Sequence, residues 1–376
     1  MSERSFDTLQ GAMPRLAGFA WEANKQKQVC WGTPNGNLAE ASVKTGGAWE
    51  LTALNAVSNA PLASLADVTG YAWPKGNSKQ VCYTTEANAH IHEIYVTFGG
   101  SWKHADLTQL AGAPPCVGWN MSGYAWNMGG TKQVAYVGAN DHIYELYVGV
   151  GHSWQHADLT QIAGAPAHSP GSPVCGYAWE KQDSKNVVYK SANGHVHHLH
   201  VGMGGSWQHE DLMQITGAPT ASGVFVSGFA WEEGATQQVV YVSSDGHIHE
   251  LYSDAPGFWA HADLTQVTGA PTGIATGSSY AAYAWPSGGT KQVAYLGSGG
   301  HVHELYVGVG GSWKHANLTA IAGGPEPDVS GFFSGYSWEA GKSKQVVYTT
   351  NDGHVHELYV GVGGSWKHAV LPGLTH

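Results

Sequence analysis

Charge is scarce in this 376-residue chain: Asp, Glu, Lys and Arg together make up 12%, about half the usual share. That excludes a disordered polyampholyte, a coiled coil and long solvated helices, all of which need many charges. Positive charge is scarcer still. Lys and Arg number 17 against 28 Asp and Glu, for a formal net charge of −11 and no basic run. Nucleic acid and anionic membrane surfaces are therefore poor partners. Cysteine is limited to Cys30, Cys82, Cys116 and Cys175, with no CxxC pair, too few for a disulfide framework. Cys30 and Cys82 stand at matching apolar strand positions and read as buried thiols. Cys116 and Cys175 read as loop residues, which leaves room for one bridge. No apolar run reaches the roughly 18 residues of a membrane span, so no membrane insertion is expected. The segment MSERSFDTLQ has no apolar signal-peptide core, so synthesis in the cytoplasm and release by a non-classical route are expected. Helical periodicity over ten or more residues is also missing.

What the chain does have is glycine (52), proline (16), tryptophan (16), tyrosine (18) and histidine (22). The aromatics are organised by a repeat. The tripeptide aromatic-Ala/Ser-Trp ends at Trp21, Trp73, Trp126, Trp179, Trp231, Trp285 and Trp338, at intervals of 52, 53, 53, 52, 54 and 53 residues. Seven units, starting near residues 18, 70, 123, 176, 228, 282 and 335, thus fill 1–376 as one domain. Each runs through a segment such as SGYAW, a turn, KQVVYTT, a turn such as Asn351-Asp352-Gly353, HVHELYV, a GVGG turn, and SWKHADLTQ with an AGAP loop. Short Val-, Tyr- and Thr-rich runs between turn residues predict four antiparallel strands per unit. Both faces of these strands carry apolar side chains, so each sheet needs a neighbour on either side. Radial packing satisfies that need, and the fold expected is an all-β, seven-bladed propeller. A linear solenoid would need polar caps at both ends, and the last unit is near consensus. Residues Phe6–Gln10 loosely echo the end of a unit and leave open whether they complete the last blade.

Three repeated groups carry chemistry. His-x-Asp (His104/Asp106, His156/Asp158, His209/Asp211, His261/Asp263) puts both side chains on one strand face. Without a nucleophile in register, it reads as a buried hydrogen-bond network that also engages a Trp indole. His-x-His (His90/His92, His195/His197, His247/His249, His301/His303, His354/His356) has the spacing of a metal pair. The following Glu points to the opposite face, however, so these histidines read as structural or ligand-contacting, and no cofactor or metal is required. The third group is tryptophan. A second series, Trp102, Trp154, Trp207, Trp259, Trp313 and Trp366, with Trp49 in the first unit, follows the turn before the fourth strand. Strand alternation puts both series near one rim. Indoles next to a Gly-lined groove suit the apolar face of a sugar, whereas the alternative is packing between blades. Several shallow sites on one rigid ring gain avidity; a catalyst gains nothing from near-copies of one site, so no enzyme is expected.

SGYAW, SKQVVYTT, GHVHELYVGVGGSWKHADLT and the AGAP loop resemble the Photorhabdus-type seven-bladed propeller lectins (the PLL family) over essentially the whole chain. The resemblance implies a bacterial lectin that binds L-fucose and O-methylated sugars in grooves between blades, as a dimer or tetramer, in host–microbe recognition. It places Trp73, Trp126, Trp179, Trp231, Trp285 and Trp338, with Trp102, Trp154, Trp207, Trp313 and Trp366, as stacking residues. Glu93, Glu145, Glu250, Glu304, Glu357, Tyr95, Tyr147, Tyr306 and Tyr359 are secondary polar or edge contacts. Partners are then fucose-containing or methylated glycans on host surfaces. Three units depart from the pattern: Asn37–Val43 in the first, His198-Leu199-His200 in the fourth, and the turn before Trp259 in the fifth. Rival readings are a protein-interaction scaffold, which expects one specialised surface, and a glycosidase, which needs a distinctive carboxylate pair.

Overall fold

The computed structural model describes residues 15–64, 67–255, 257–273, 279–329 and 331–373. The segment Phe6–Gln10 lies outside the described residues. Seven antiparallel sheets of four consecutive strands occupy 16–53, 68–106, 116–158, 175–211, 221–263, 280–317 and 334–370, here blades 1 to 7. Blade 2 is representative, with strands Val68–Trp73, Ser78–Thr84, Ile91–Thr97 and Lys103–Asp106. The first-to-second and third-to-fourth hairpins lie at the same end, and their turns are joined by the bond from Phe98 N–H to the Asn77 carbonyl. That end is called the upper rim.

First strands neighbour one another around the ring, blade 7 meeting blade 1 as blade 1 meets blade 2. Glycine sets this spacing. The Tyr71 ring of blade 2 lies against Gly123 of blade 3, where a Cβ would come within 2.4 Å of the ring. The same fit recurs for Phe19 on Gly70, Tyr124 on Gly176, Tyr177 on Gly228, Tyr283 on Gly335 and Tyr336 on Gly18. Each of these rings is buried and contributes a large apolar area to the inter-blade core. Blade 7 supplies four strands of its own, and among the described residues its first strand is joined to blade 1 through side chains. Glu22 accepts bonds from Glu339 N–H (2.7 Å) and Ala340 N–H (2.8 Å), and the Gly18 N–H donates to Ser334 Oγ.

Two features differ from the sequence-based expectation. Six one-turn helices, Leu107–Ala111 in blade 2 among them, follow the fourth strands of blades 1 to 6. In five of them an Asp or Asn caps the N-terminus (Asp106 accepts from Gln109 N–H), and a left-handed glycine such as Gly112 (φ 60°) ends the turn. The cysteine reading is also corrected in part. Cys116 and Cys175 open the first strands of blades 3 and 4 rather than lying in loops, and no disulfide forms among the described residues. Cys30 and Cys82 are fully buried in matching second strands, as expected.

Candidate functional site

Strand alternation fixes what each inter-blade space contains. On one face of blade 2, Tyr71 and Trp73 of the first strand lie beside Ser78, Gln80 and Cys82 of the second and Glu93 and Tyr95 of the third. The opposite face presents Lys79, Val81 and Tyr83. Facing blades therefore oppose Glu, Tyr and first-strand Trp on one side to Lys and fourth-strand Trp on the other. In the groove between blades 2 and 3, Lys132 Nζ lies 2.6 Å from Glu93 Oε1. It stands 5.4 Å from the ring centre of Trp73, 5.2 Å from Tyr95 and 5.1 Å from Trp154. The ammonium is thus caged by three rings and held by one carboxylate.

The cage recurs with Lys185 and Glu145, Lys291 and Glu250, Lys344 and Glu304, and, across the ring closure, Lys27 and Glu357. Their rings are Trp126, Tyr147 and Trp207; Trp231, Tyr252 and Trp313; Trp285, Tyr306 and Trp366; and Trp338, Tyr359 and Trp49. Between blades 1 and 2, Lys79 pairs with Glu40 beneath Trp21 and Trp102, but Ser42 stands where the tyrosine should be. Five grooves are therefore complete. Burial pulls the Lys27, Lys291 and Lys344 ammoniums down and pushes the Glu250, Glu304 and Glu357 carboxyls up, while each partner opposes the shift. Pairing and the ring faces both offset the desolvation of the two groups.

The site residues expected from sequence separate by depth. First-strand indoles are covered: Trp126 is 8% exposed, and Gly129 of its own turn lies against the ring. Trp73, Trp179, Trp231, Trp285 and Trp338 are equally buried, so they form the groove floor rather than open platforms. Their Nε1–H donors, and that of Trp21, have no protein partner. The Oε1 atoms of Gln80, Gln133, Gln292 and Gln345, on the same sheet faces, are likewise unmatched. An O–H group, which both donates and accepts, has the chemistry to match both kinds of atom. Glu93, Glu145, Glu250, Glu304 and Glu357 are 1% exposed and face lysine, beneath the level at which edge contacts were expected. Trp102, Trp154, Trp207, Trp313 and Trp366, with Tyr95, Tyr147, Tyr306 and Tyr359, are half-buried and form the groove mouth. The lysines were missed by sequence reasoning. Their signal was a charge repeated inside a strand expected to be buried on both faces.

The groove between blades 4 and 5 is different. Gln237 replaces lysine, His198 replaces glutamate, His200 replaces tyrosine, and Glu210 stands where blade 1 has Thr52 and the other five fourth strands have alanine. His198 Nδ1 lies 2.9 Å from Glu210 Oε2, and His200 Nε2 lies 3.9 Å from the same oxygen. Trp259, 8% exposed, donates its indole N–H to that oxygen as well (2.9 Å).

At the lower rim the histidines and aspartates form a network, but not between i, i+2 partners and without an indole. His90 Nδ1 meets Asp106 Oδ2 (2.8 Å), while His92 Nδ1 meets His104 Nε2 (2.8 Å). Burial brings His92, His197, His303 and His356 down to about 4, keeping them neutral. Depressions of about 620 and 500 Å³ adjoin this network in blades 2 and 4, lined in part by His92 and by His197, His209 and Asp211.

No family model matches the chain, and no curated protein matches it. Solved structures do. A lectin of Burkholderia pseudomallei, BP39L, is similar over 96% of this chain and 99% of its own, with TM-score 0.74 and 17% identity. The six-bladed Aleuria aurantia lectin, described with its fucose recognition mode, gives TM-score 0.57 at 16% identity over 96% of each chain. The SapL1 lectin, solved with α-methyl fucoside, gives 0.56 at 16% identity over 83% of this chain and 98% of its own. These likenesses show the fold: the chain is a seven-bladed β-propeller of the same general architecture.

Proposed function

We propose that this protein is a non-catalytic, multivalent carbohydrate-binding propeller. The observation that carries the reading is the groove repeated five times in complete form. In each, a half-buried Trp of one blade and a Tyr of the preceding blade flank a caged ammonium. The rings offer faces to the apolar C–H side of a saccharide, and the ammonium edge and tyrosine hydroxyl offer polar contacts. Methyl ethers add apolar area against the same rings, which favours O-methylated as well as deoxy sugars such as fucose. Similarity to lectins described with fucose supports that choice of sugar. Every repeated third-strand carboxylate is neutralised by a lysine, which suits binding rather than acid–base chemistry. One such groove is weak, because a monosaccharide offers few atoms; five on one ring give avidity for a dense glycan surface. Dimers or tetramers on host glycans extend the same logic, and sedimentation tests the oligomer.

Crystals soaked with methyl fucoside should show sugar in the five complete grooves and weaker or no density between blades 1 and 2 and between blades 4 and 5. Trp313→Ala should empty the groove between blades 5 and 6, lowering its affinity about tenfold, as loss of one stacking face implies. Trp102→Ala, in the groove lacking tyrosine, should hardly change the total. Folded protein that binds no saccharide on a glycan array or by calorimetry would refute the reading.

A further inference from the structure

The groove between blades 4 and 5 has lost its lysine and gained two imidazoles and a carboxylate. We infer that it is a single divalent transition-metal site, of the class taken by Zn²⁺, Co²⁺ or Ni²⁺, with His198, His200 and Glu210 as ligands. This inference stands independently of the sugar reading. One ligand atom from each of His198, His200 and Glu210 lies within 4.8 Å of the other two. Ion-to-ligand distances of about 2.0–2.2 Å place two ligand atoms on one ion roughly 3–4 Å apart. The 2.9 Å and 3.9 Å separations to Glu210 Oε2 already meet that, with both histidine rings stacked side by side at 4.9 Å and 12°. Two imidazoles and a carboxylate form a donor set suited to such ions.

The surrounding residues fix the protons. Asn186 stands where the other six blades have glutamine. Its Nδ2 donates to Ser184 Oγ (3.3 Å), which turns Oδ1 toward His198 Nε2 at 2.9 Å. His198 therefore donates from Nε2, the orientation in which a ligating histidine is held by its outer partner. Its Nδ1 is left aimed at a carboxylate oxygen. A lone pair facing a carboxylate is repulsive unless a metal cation or a ring proton lies between them. In the six other grooves a lysine Nζ supplies the cation on this side of the cage. Here Gln237 is neutral and is engaged by the Tyr177 hydroxyl at 2.9 Å. Trp259 N–H donates to the same Oε2 and so fixes the orientation of the carboxylate toward the two imidazoles. Five coordinated departures from the repeat (Asn186, His198, His200, Glu210 and Gln237) thus converge on one groove and nowhere else among the described residues.

The test is titration of the full-length protein, stripped with chelator, with Co²⁺ followed by its visible d–d absorption, and with Zn²⁺ by competition. One ion per chain with the absorption of a four- or five-coordinate centre is expected. His200→Gln and Glu210→Gln should each weaken binding by roughly a hundredfold, and Asn186→Leu by about tenfold. Glu210→Gln keeps an acceptor for Trp259, so folding is preserved. His301→Gln, outside the groove, should change nothing. Absence of a stoichiometric ion, leaving a proton alone between His198 and Glu210, would overturn the inference. So would binding that the His200 and Glu210 variants retain.

Discussion

Individual side chains in this ring are tied most tightly at the inter-blade ion pairs. Glu304 is 1% exposed and lies 2.7 Å from Lys344 Nζ, which is covered by Trp285, Tyr306 and Trp366. Breaking such a pair from one side strands the other charge in a dry space. Glu304→Gln alone is expected to cost about 3–5 kcal/mol of unfolding free energy. Lys344→Met alone should cost a similar amount, because it leaves Glu304 facing aromatic rings. The double variant should cost clearly less than the two singles combined, since removing both charges abolishes the desolvation penalty. Urea unfolding of the four proteins closes the cycle. Additive losses would mean that each charge is stabilised by something other than its partner.

Secondary structure shows which features were legible beforehand. The seven-unit count and the four-strand pattern followed from aromatic spacing and turn residues, because strands such as Ser343–Thr349 alternate cleanly between two buried faces. The convergence of both Trp series followed from strand direction alone. The one-turn helices did not, since five residues such as Leu264–Thr268 are too few to display a 3.6-residue period. Their signal was capping: Asp263 accepts from Gln266 N–H, and Gly269 follows in the left-handed region. Depth in the grooves was also hidden. Whether Trp126 is platform or floor depends on Gly129 and on Lys185 of the next blade, and pairing between units 53 residues apart is not written in local sequence. The cap offers a test at this scale. Asp263 also accepts from His247, and Asn317 does the capping in blade 6. Asp263→Ala should cost about 1–2 kcal/mol, and Asp263→Asn only a fraction of that. Burial alone would raise the Asp263 carboxyl, but the His247 and Gln266 donors outweigh it and hold it below its usual value. The advantage of aspartate over asparagine is thus present at neutral pH and vanishes as pH falls through that lowered value. Equal stability of the two variants at pH 7 would contradict this account.

Across the whole ring, rotational repetition turns a small local preference into a collective one. His92, His197, His303 and His356 are held near 4 by burial, against an ordinary value of 6.5. Between those values the unfolded chain binds more protons than the folded ring, so stability rises with pH over this window and is lost as pH falls from about 6.5 to 4. Asp67, pushed up to about 6 by burial against the pull of Arg15, and Glu250, Glu304 and Glu357, also raised by burial, work in the opposite direction, but His104, His249, His261 and His315 are lowered by burial too and add to the first four. Thermal melts should therefore be flat above pH 7 and drop steadily below 6.5, well before most carboxylates protonate. Blade 3 shows how to change this. It carries Tyr144 at the His92 position, stacked on Tyr136 as His92 is stacked on Tyr83, with Gly138 leaving room for the ring. Blade 6 has the matching glycine, Gly297, against His303. His303→Tyr should thus be accommodated at pH 7 within about 1.5 kcal/mol and should make the acid limb of the stability curve shallower. An unchanged acid limb in that variant, or melts that do not depend on pH between 6.5 and 4.5, would show that the buried histidines do not govern the acid stability of the ring.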